Sequence, residues 1–273
     1  GARTLIYRFP NIFGKWCRPN YNSMVATFCN NIAKGLEITI NDENAMVPLL
    51  YIDDLVDCLI GMLEGKEPEI LSAENLNEWA PKADPNLIEA SLKEHTYYTA
   101  GPVYKESVGN VAKLLYSFKA SRENLMVPDM TEGCFEKKLY STYLSYLPEE
   151  EFGYDVKMNV DARGSFTELL KSPDRGQVSV NIAKPGITKG NHWHHSKNEK
   201  FIVVSGKAMI RFRKLGSDEV IEVEADGEHM KVVDIPPGYT HNISNIGDSD
   251  LVTVMWANEP FDPDNPDTYY LEV

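Results

Sequence analysis

Apolar positions follow two different rhythms along this chain. From Thr4 to Phe9 they form a continuous β-branched and aromatic run ended by Pro10, which predicts a buried strand followed by a loop over Asn11–Gly14. Met24, Val25, Phe28, Ile32 and Leu36 then recur at helical spacing behind Asn22-Ser23, a capping pair, and Gly35 marks the helix stop. Leu36–Ile40 reads as a short strand, 41–44 as a turn, and Val47–Ile52 as a strand running into Asp53-Asp54. Either acid can cap the exposed amides of a helix whose apolar face is Leu55, Val56, Leu59, Ile60 and Leu63, as far as Gly65. Prolines at 68, 81, 85 and 102 predict loops and short elements over 66–105. Helical spacing returns over 107–122 and again around Phe135–Leu144.

After the acidic segment Pro148–Glu151 and Gly153, the best candidate for a linker, the texture changes to short alternating runs between glycine-containing turns. Strands are predicted over Val178–Ala183, Phe201–Ser205, Ala208–Arg213, Glu219–Glu224, Lys231–Ile235 and Leu251–Trp256, the spacing of a barrel or sandwich. The expected fold class is therefore α/β plus all-β, divided as 1–150 and 151–273. A length of 273 residues favours two domains over one.

Composition narrows the function. With 42% hydrophobic and 25% charged residues this is an ordinary globular sequence. It has no apolar run near the ~18–20 residues of a membrane span, so no membrane partner is expected. A formal net charge of −14 argues against a nonspecific grip on nucleic acid, which needs clustered Lys and Arg. Cys17, Cys29, Cys58 and Cys134 are scattered without a C-x-x-C pair, as expected of reduced structural thiols in a cytoplasmic protein. The opening lacks the charged region and cleavage site of a signal peptide and reads as the middle of a domain.

Five of the six histidines follow residue 190, and four of those lie in two short motifs. In a strand, residues two apart share a face, so His192 and His194 present two imidazoles together and Glu199 can return on the next strand with an oxygen. His241, just after the Pro236-Pro237-Gly238 turn, can supply a fourth donor. Imidazole and carboxylate suit zinc, the foremost expectation, but donor type alone also admits Fe, Mn or Ni. His195 points to the opposite strand face from His194, and His95 and His229, each alone, read as ordinary polar residues.

These motifs resemble the two signatures of the cupin superfamily, whose fold is a double-stranded β-helix or jelly-roll barrel. The first, G-x5-H-x-H-x4-E-x6-G, runs from Gly186 to Gly206; the second, P-x-G-x2-H-x3-N, runs from Pro236 to Asn245. Carried over by position, the resemblance makes His192, His194, Glu199 and His241 the metal ligands. Met230 stands where the second motif usually has a glycine, and nearby Gly227 suggests a turn of altered length.

In the first half, Arg8-x-x-Asn11-x-x-Gly14 and Tyr51-Ile52-Asp53-Asp54 resemble the C-terminal half of extended short-chain dehydrogenase/reductases acting on nucleotide sugars. That likeness implies a partial Rossmann-like domain and substrate contacts from Asn11, Tyr51 and Asp53. Together with the acidic linker, the cupin motifs and the closing segment Phe261–Val273, the chain resembles the bifunctional CapF-type enzymes of capsular polysaccharide synthesis, in the UDP-N-acetyl-L-fucosamine precursor pathway. The glycine-rich turn for a dinucleotide and the Tyr-x-x-x-Lys pair of ketone reduction are missing, so NADP is expected only in an intact enzyme and this chain is expected to expose apolar faces of an incomplete sheet.

The resemblance implies that the cupin inverts C3 of a UDP-activated 4-keto-6-deoxy-N-acetylhexosamine and the reductase reduces C4 with NADPH, as a homodimer. Lys189, His195 and Tyr239, in the motif loops, are the candidates for proton transfer, and Arg163 for the diphosphate or for a structural turn. The same ligands would also permit an Fe-dependent cupin dioxygenase, or a sugar-binding or dimerising module with a structural metal.

Overall fold

The computed structural model describes residues 4–79 and 84–273, which form two units: one from the residues up to 120 with 128–153, the other from 121–127 with 154–273. Pro81 and its predicted loop lie outside the described residues.

The first unit is mixed α/β, with two three-stranded sheets in place of one continuous parallel sheet. In one, Ile6–Tyr7 runs parallel to Tyr97–Thr99, which pairs with Glu69–Ile70; in the other, Asn11–Phe13 runs parallel to Met46–Tyr51, which pairs antiparallel with Val103–Ser107. The strand expected over 4–9 shrinks to two residues, and Ile6 is 48% exposed. Asn11–Phe13, expected as loop, is a strand because Leu49–Tyr51 supplies its ladder, a long-range partner invisible to local pattern.

The helix Met24–Ala33 starts where Ser23 Oγ accepts from the Ala26 amide, and it buries Val25, Phe28, Cys29 and Ile32. Burial pushes the Cys29 thiol far up, as befits a packing residue. Leu36–Ile40 forms no strand; Ile38 and Ile40 pack on the core without a ladder partner. The helix Ile52–Leu63 has no side-chain cap: Asp53 lies 2.7 Å from Lys15 Nζ and Asp54 2.6 Å from Lys138 Nζ, so both carboxylates are spent on lysines. Its apolar residues Val56, Ile60 and Leu63 stand exposed, with only Leu55 and Gly61 buried. The helices Val108–Asn124 and Phe135–Leu144 lie where periodicity puts them, and Val111, Leu115, Phe118, Leu139 and Tyr143 complete the core.

The second unit is all-β. A five-stranded sheet runs Val220–Asp226, Lys207–Lys214, Tyr239–Asn245, Thr188–Trp193, Tyr269–Tyr270. A six-stranded sheet runs Val232–Ile235, Glu199–Ser205, Leu251–Ala257, Gly176–Ala183, Gly164–Ser172, Met158–Asp161. All their pairings are antiparallel. Alternation sends Ala208, Ile210 and Phe212 from one sheet, and Phe201, Val203 and Leu251 from the other, into one shared core. This double-sheet arrangement is consistent with a cupin barrel.

Each predicted strand of this half is present with ends shifted by a residue or two: four are extended, Glu219–Glu224 moves to Val220–Asp226, and Lys231–Ile235 shortens to Val232–Ile235. The hairpin of Met158–Asp161 and Gly164–Ser172 was not expected; it closes on Gly164 at φ 133°, where a Cβ would lie 2.0 Å from the Ile182 carbonyl oxygen. Gly227 also leaves no room for a Cβ, which would lie 2.7 Å from the Val204 carbonyl oxygen, while Met230 is 64% exposed.

Candidate metal centre

A backbone irregularity aims the first donor. Gly190 pairs with Asn242 and His192 with His241, so Asn191 is an extra residue on the strand Thr188–Trp193, at φ 61°. Without that bulge Asn191, not His192, would face His241 across the ladder. Gly190 makes the bulge possible: at φ 105°, a Cβ there would sit 2.9 Å from Asn242 Cα and from the His241 carbonyl oxygen.

His194 was expected to reach the same place as a strand neighbour of His192. It lies just past the strand end, 2% exposed, and is held differently. Its Nδ1 is 2.5 Å from the Asp267 carbonyl oxygen; a carbonyl only accepts, so Nδ1 carries the proton and Nε2 is left as the donor atom. The Asp267 carboxylate takes the backbone amides of His195, Ser196 and Lys197, each at 2.9 Å, and thereby fixes the loop. Glu199 comes from the other sheet: it opens the strand Glu199–Ser205 and pairs with Ile235 and Ala257.

The four side chains converge: one ligand atom from each of His192, His194, Glu199 and His241 lies within 4.8 Å of the others. Glu199 Oε2 is 3.4 Å from His194 Nε2 and 3.2 Å from His241 Nε2. These atoms are buried and lack hydrogen-bond partners. Buried polar atoms are normally satisfied, so a cluster of unpaired donor atoms facing one another fits a divalent cation better than a hydrogen-bonded network. Burial works to raise the Glu199 carboxyl, but His194 and His241 beside it hold it down at about 2. Burial and the neighbouring His241 pull His192 down to about 4, so it stays a neutral ligand well into the acid range. For His194 burial is opposed by Glu199 and the Asp267 carbonyl, and the net direction is upward.

The cluster opens onto a cavity of about 640 Å³ within the second unit. Of the proton-transfer candidates, Lys189 lines this cavity, whereas His195 and Tyr239 do not. The exposed His195 ring packs on Trp193 and Tyr269, with centroids 4.5 and 5.0 Å away, and Tyr239 packs against the barrel core. Burial lowers Lys189 from the usual lysine value. Arg163 lines the cavity from the hairpin turn, where its Nη2 donates to Asp161 at 2.6 Å, so the side chain that ties the turn also faces the cavity. Asn181 and Asp267 carry no signal in the sequence: one is an isolated polar residue inside a strand, the other lies in an Asp/Pro-rich tail. In the first unit, Asn11 lines a separate cavity of about 490 Å³, with Asn11 Nδ2 donating to the Pro48 carbonyl. Tyr51 and Asp53 are not part of its wall; Tyr51 is buried, and burial with the nearby Asp53 pushes its hydroxyl up to about 12.

Comparison with known proteins fits both halves. Residues 159–269 match the polysaccharide biosynthesis C-terminal domain, and residues 1–73 match the NAD-dependent epimerase/dehydratase family. A UDP-2-acetamido-2,6-beta-L-arabino-hexul-4-ose reductase from Pseudomonas aeruginosa is 43% identical over all 273 residues, which span 66% of its length. The crystal structure of the capsular polysaccharide assembling protein CapF from Staphylococcus aureus matches 98% of this chain and 71% of its own, at 54% identity and TM-score 0.85. CapF with the inhibitor 3-isopropenyl-tropolone matches at the same identity and TM-score, over 70% of that chain. This chain thus spans about two thirds of the length of these relatives. With the double-sheet barrel, the donor cluster and this likeness in hand, the chain belongs to the CapF family of capsular polysaccharide proteins.

Proposed function

We propose that the β-barrel unit is a metal-dependent C3 epimerase of a UDP-activated 4-keto-6-deoxy-N-acetylhexosamine, with NADPH-dependent C4 reduction belonging to the intact enzyme and its Rossmann-like domain. The observation that carries this reading is the convergence of four donor side chains, three of them (His194, Glu199 and His241) with buried, unpaired ligand atoms, on a cavity large enough for a sugar nucleotide's glycosyl end. The Pseudomonas relative is named for a hexul-4-ose, and a C4 ketone makes the C3 proton acidic. The CapF relative's inhibitor is a tropolone, a class with adjacent oxygens suited to chelating a divalent cation, which is in keeping with a metal-dependent step.

His192, His194, Glu199 and His241 would hold the ion, zinc first and Fe, Mn or Ni by the same donor chemistry. When bound, it supplies Lewis-acid polarisation of the ketone. The chain's own part is to exclude water and orient the sugar. Phe166, Phe201 and Phe261 furnish apolar wall, and Arg163 at the hairpin turn offers a guanidinium to the diphosphate. A homodimer belongs to the same reading, supported by apolar side chains left on outer strands at Met158, Val160, Val220 and Ile221. A cytoplasmic setting is supported by the four free thiols.

The test is metal dependence. Chelator-stripped protein should lose formation of the C3 epimer, followed by NMR of the UDP-4-keto sugar, and recover it with one equivalent of zinc, without oxygen uptake. Conversion that persists in metal-free protein would refute the assignment.

A further inference from the structure

One amide in the barrel cavity is left with a free donor. Asn181, on the strand Gly176–Ala183, lines the cavity, is 3% exposed, and its Nδ2 has no hydrogen-bond partner. Its Oδ1 accepts from Lys189 Nζ at 2.8 Å. An ammonium group can only donate, so the amide cannot be turned over: oxygen faces Lys189 and the NH₂ faces away. Thr253, the cross-strand neighbour of Asn181, is itself buried with an unpartnered hydroxyl, so that side chain does not satisfy the amide.

Lys189 is fully committed. Besides Asn181, its Nζ donates to the Ile182 carbonyl at 2.8 Å and the Ser165 carbonyl at 3.3 Å, which accounts for all three N–H groups of an ammonium. Held in that way it has no lone pair with which to accept a proton. Its acceptors come from two strands and its own backbone from a third, so the clamp spans both sheets of the barrel.

We infer that Asn181 is a substrate-binding residue whose Nδ2 donates to an acceptor oxygen of the sugar, and that Lys189 is the positioning residue that keeps the amide in its donating orientation. This rests on the nucleotide-sugar reading of the site. The buried donor costs free energy until an acceptor arrives, which makes it a filter for a sugar that carries oxygen at that point.

Asn181→Asp isolates the donor. The side chain keeps its shape and its contact with Lys189, but an acceptor replaces Nδ2. Zinc-loaded protein is titrated calorimetrically with the UDP-4-keto-6-deoxy-N-acetylhexosamine and, separately, with UDP. Asn181→Asp should weaken the keto sugar about tenfold or more and leave UDP within about twofold, with zinc content unchanged. Lys189→Met should reproduce the loss, and Lys189→Arg should recover part of it. Asn181→Ala, which adds no charge, is read in the same way should the Asp variant fold poorly. Equal keto-sugar affinity in the wild type and both Asn181 variants would overturn the inference alone. Equal losses for UDP and sugar would overturn the assignment to the sugar. Failure of the wild type to bind the keto sugar would overturn the functional reading and this inference with it.

Discussion

Asp267→Asn is expected to loosen the metal centre without touching a ligand. The Asp267 carboxylate accepts three backbone amides from 195–197, and Oδ2 also takes the Ser196 hydroxyl at 3.2 Å; its own carbonyl holds His194 Nδ1. The residue adopts φ 40°, a left-handed conformation that a side chain tolerates only when the surroundings hold it there. In the Asn variant one oxygen survives for the His195 amide, while an NH₂ group confronts those of Ser196 and Lys197. Two charge-assisted bonds at a partly exposed site, where water can replace them, are worth about 2 kcal/mol together. That corresponds to a fall in melting temperature of roughly 7 °C for a unit of this size. Loss of support around His194 should lower zinc affinity by about 10–100-fold. The amides hold the Asp267 carboxyl well below its ordinary value, so its stabilisation is present above the ordinary carboxylate range and lost as pH falls through the depressed one. The wild type minus Asn difference should therefore shrink on strong acidification. Competition with a chromogenic chelator, alongside thermal melts at neutral and acid pH, reads both quantities. Unchanged zinc affinity with a lowered melting temperature would show that the tail stabilises the fold and does not position His194.

Other perturbations test separate links. His194→Ala should leave the barrel folded by circular dichroism but sharply reduce the metal-to-protein ratio; an unchanged ratio would remove His194 from the donor set. Gly190→Val should cost about 1–3 kcal/mol of strain and collapse metal content, because a side chain at φ 105° clashes with the His241–Asn242 backbone and undoes the bulge. Ile210→Ala, fully buried in the barrel core, should destabilise by about 2–5 kcal/mol in urea melts while preserving donor geometry. In metal-free protein, stability should decline as pH drops from about 6.5 toward 4, since His192 resists protonation in the fold but accepts it when unfolded; a flat profile there would contradict its buried, neutral state.

The barrel was legible because its signals are local. Alternation in Ala208–Arg213 or Leu251–Trp256 reflects one buried face, and the His192–Glu199 motif carries three of the four donors within eight positions. The arrangement of those donors was less so: the route to His192 runs through a bulge, and His194 is aimed by a carbonyl 73 residues away. Lys189 could be flagged by its place beside the motif, but its three acceptors come from strands that only the fold brings together. In the first unit the short strand Asn11–Phe13 exists by virtue of a partner at Leu49–Tyr51, and the acids at 53 and 54 chose lysines over capping because Lys15 and Lys138 arrive from elsewhere in the chain. Hydrophobic periodicity reports which face is buried, not which distant group arrives to meet it.

A barrel that epimerises C3 must remove and return the C3 proton of a UDP-4-keto sugar, so the decisive experiment incubates the zinc-loaded protein with that sugar in D₂O without NADPH and follows the C3 proton by NMR. Deuterium should enter C3 in the wild type and not in His194→Ala. Stoichiometric zinc with no exchange at C3 would contradict epimerisation and leave the four donors as a binding or structural site.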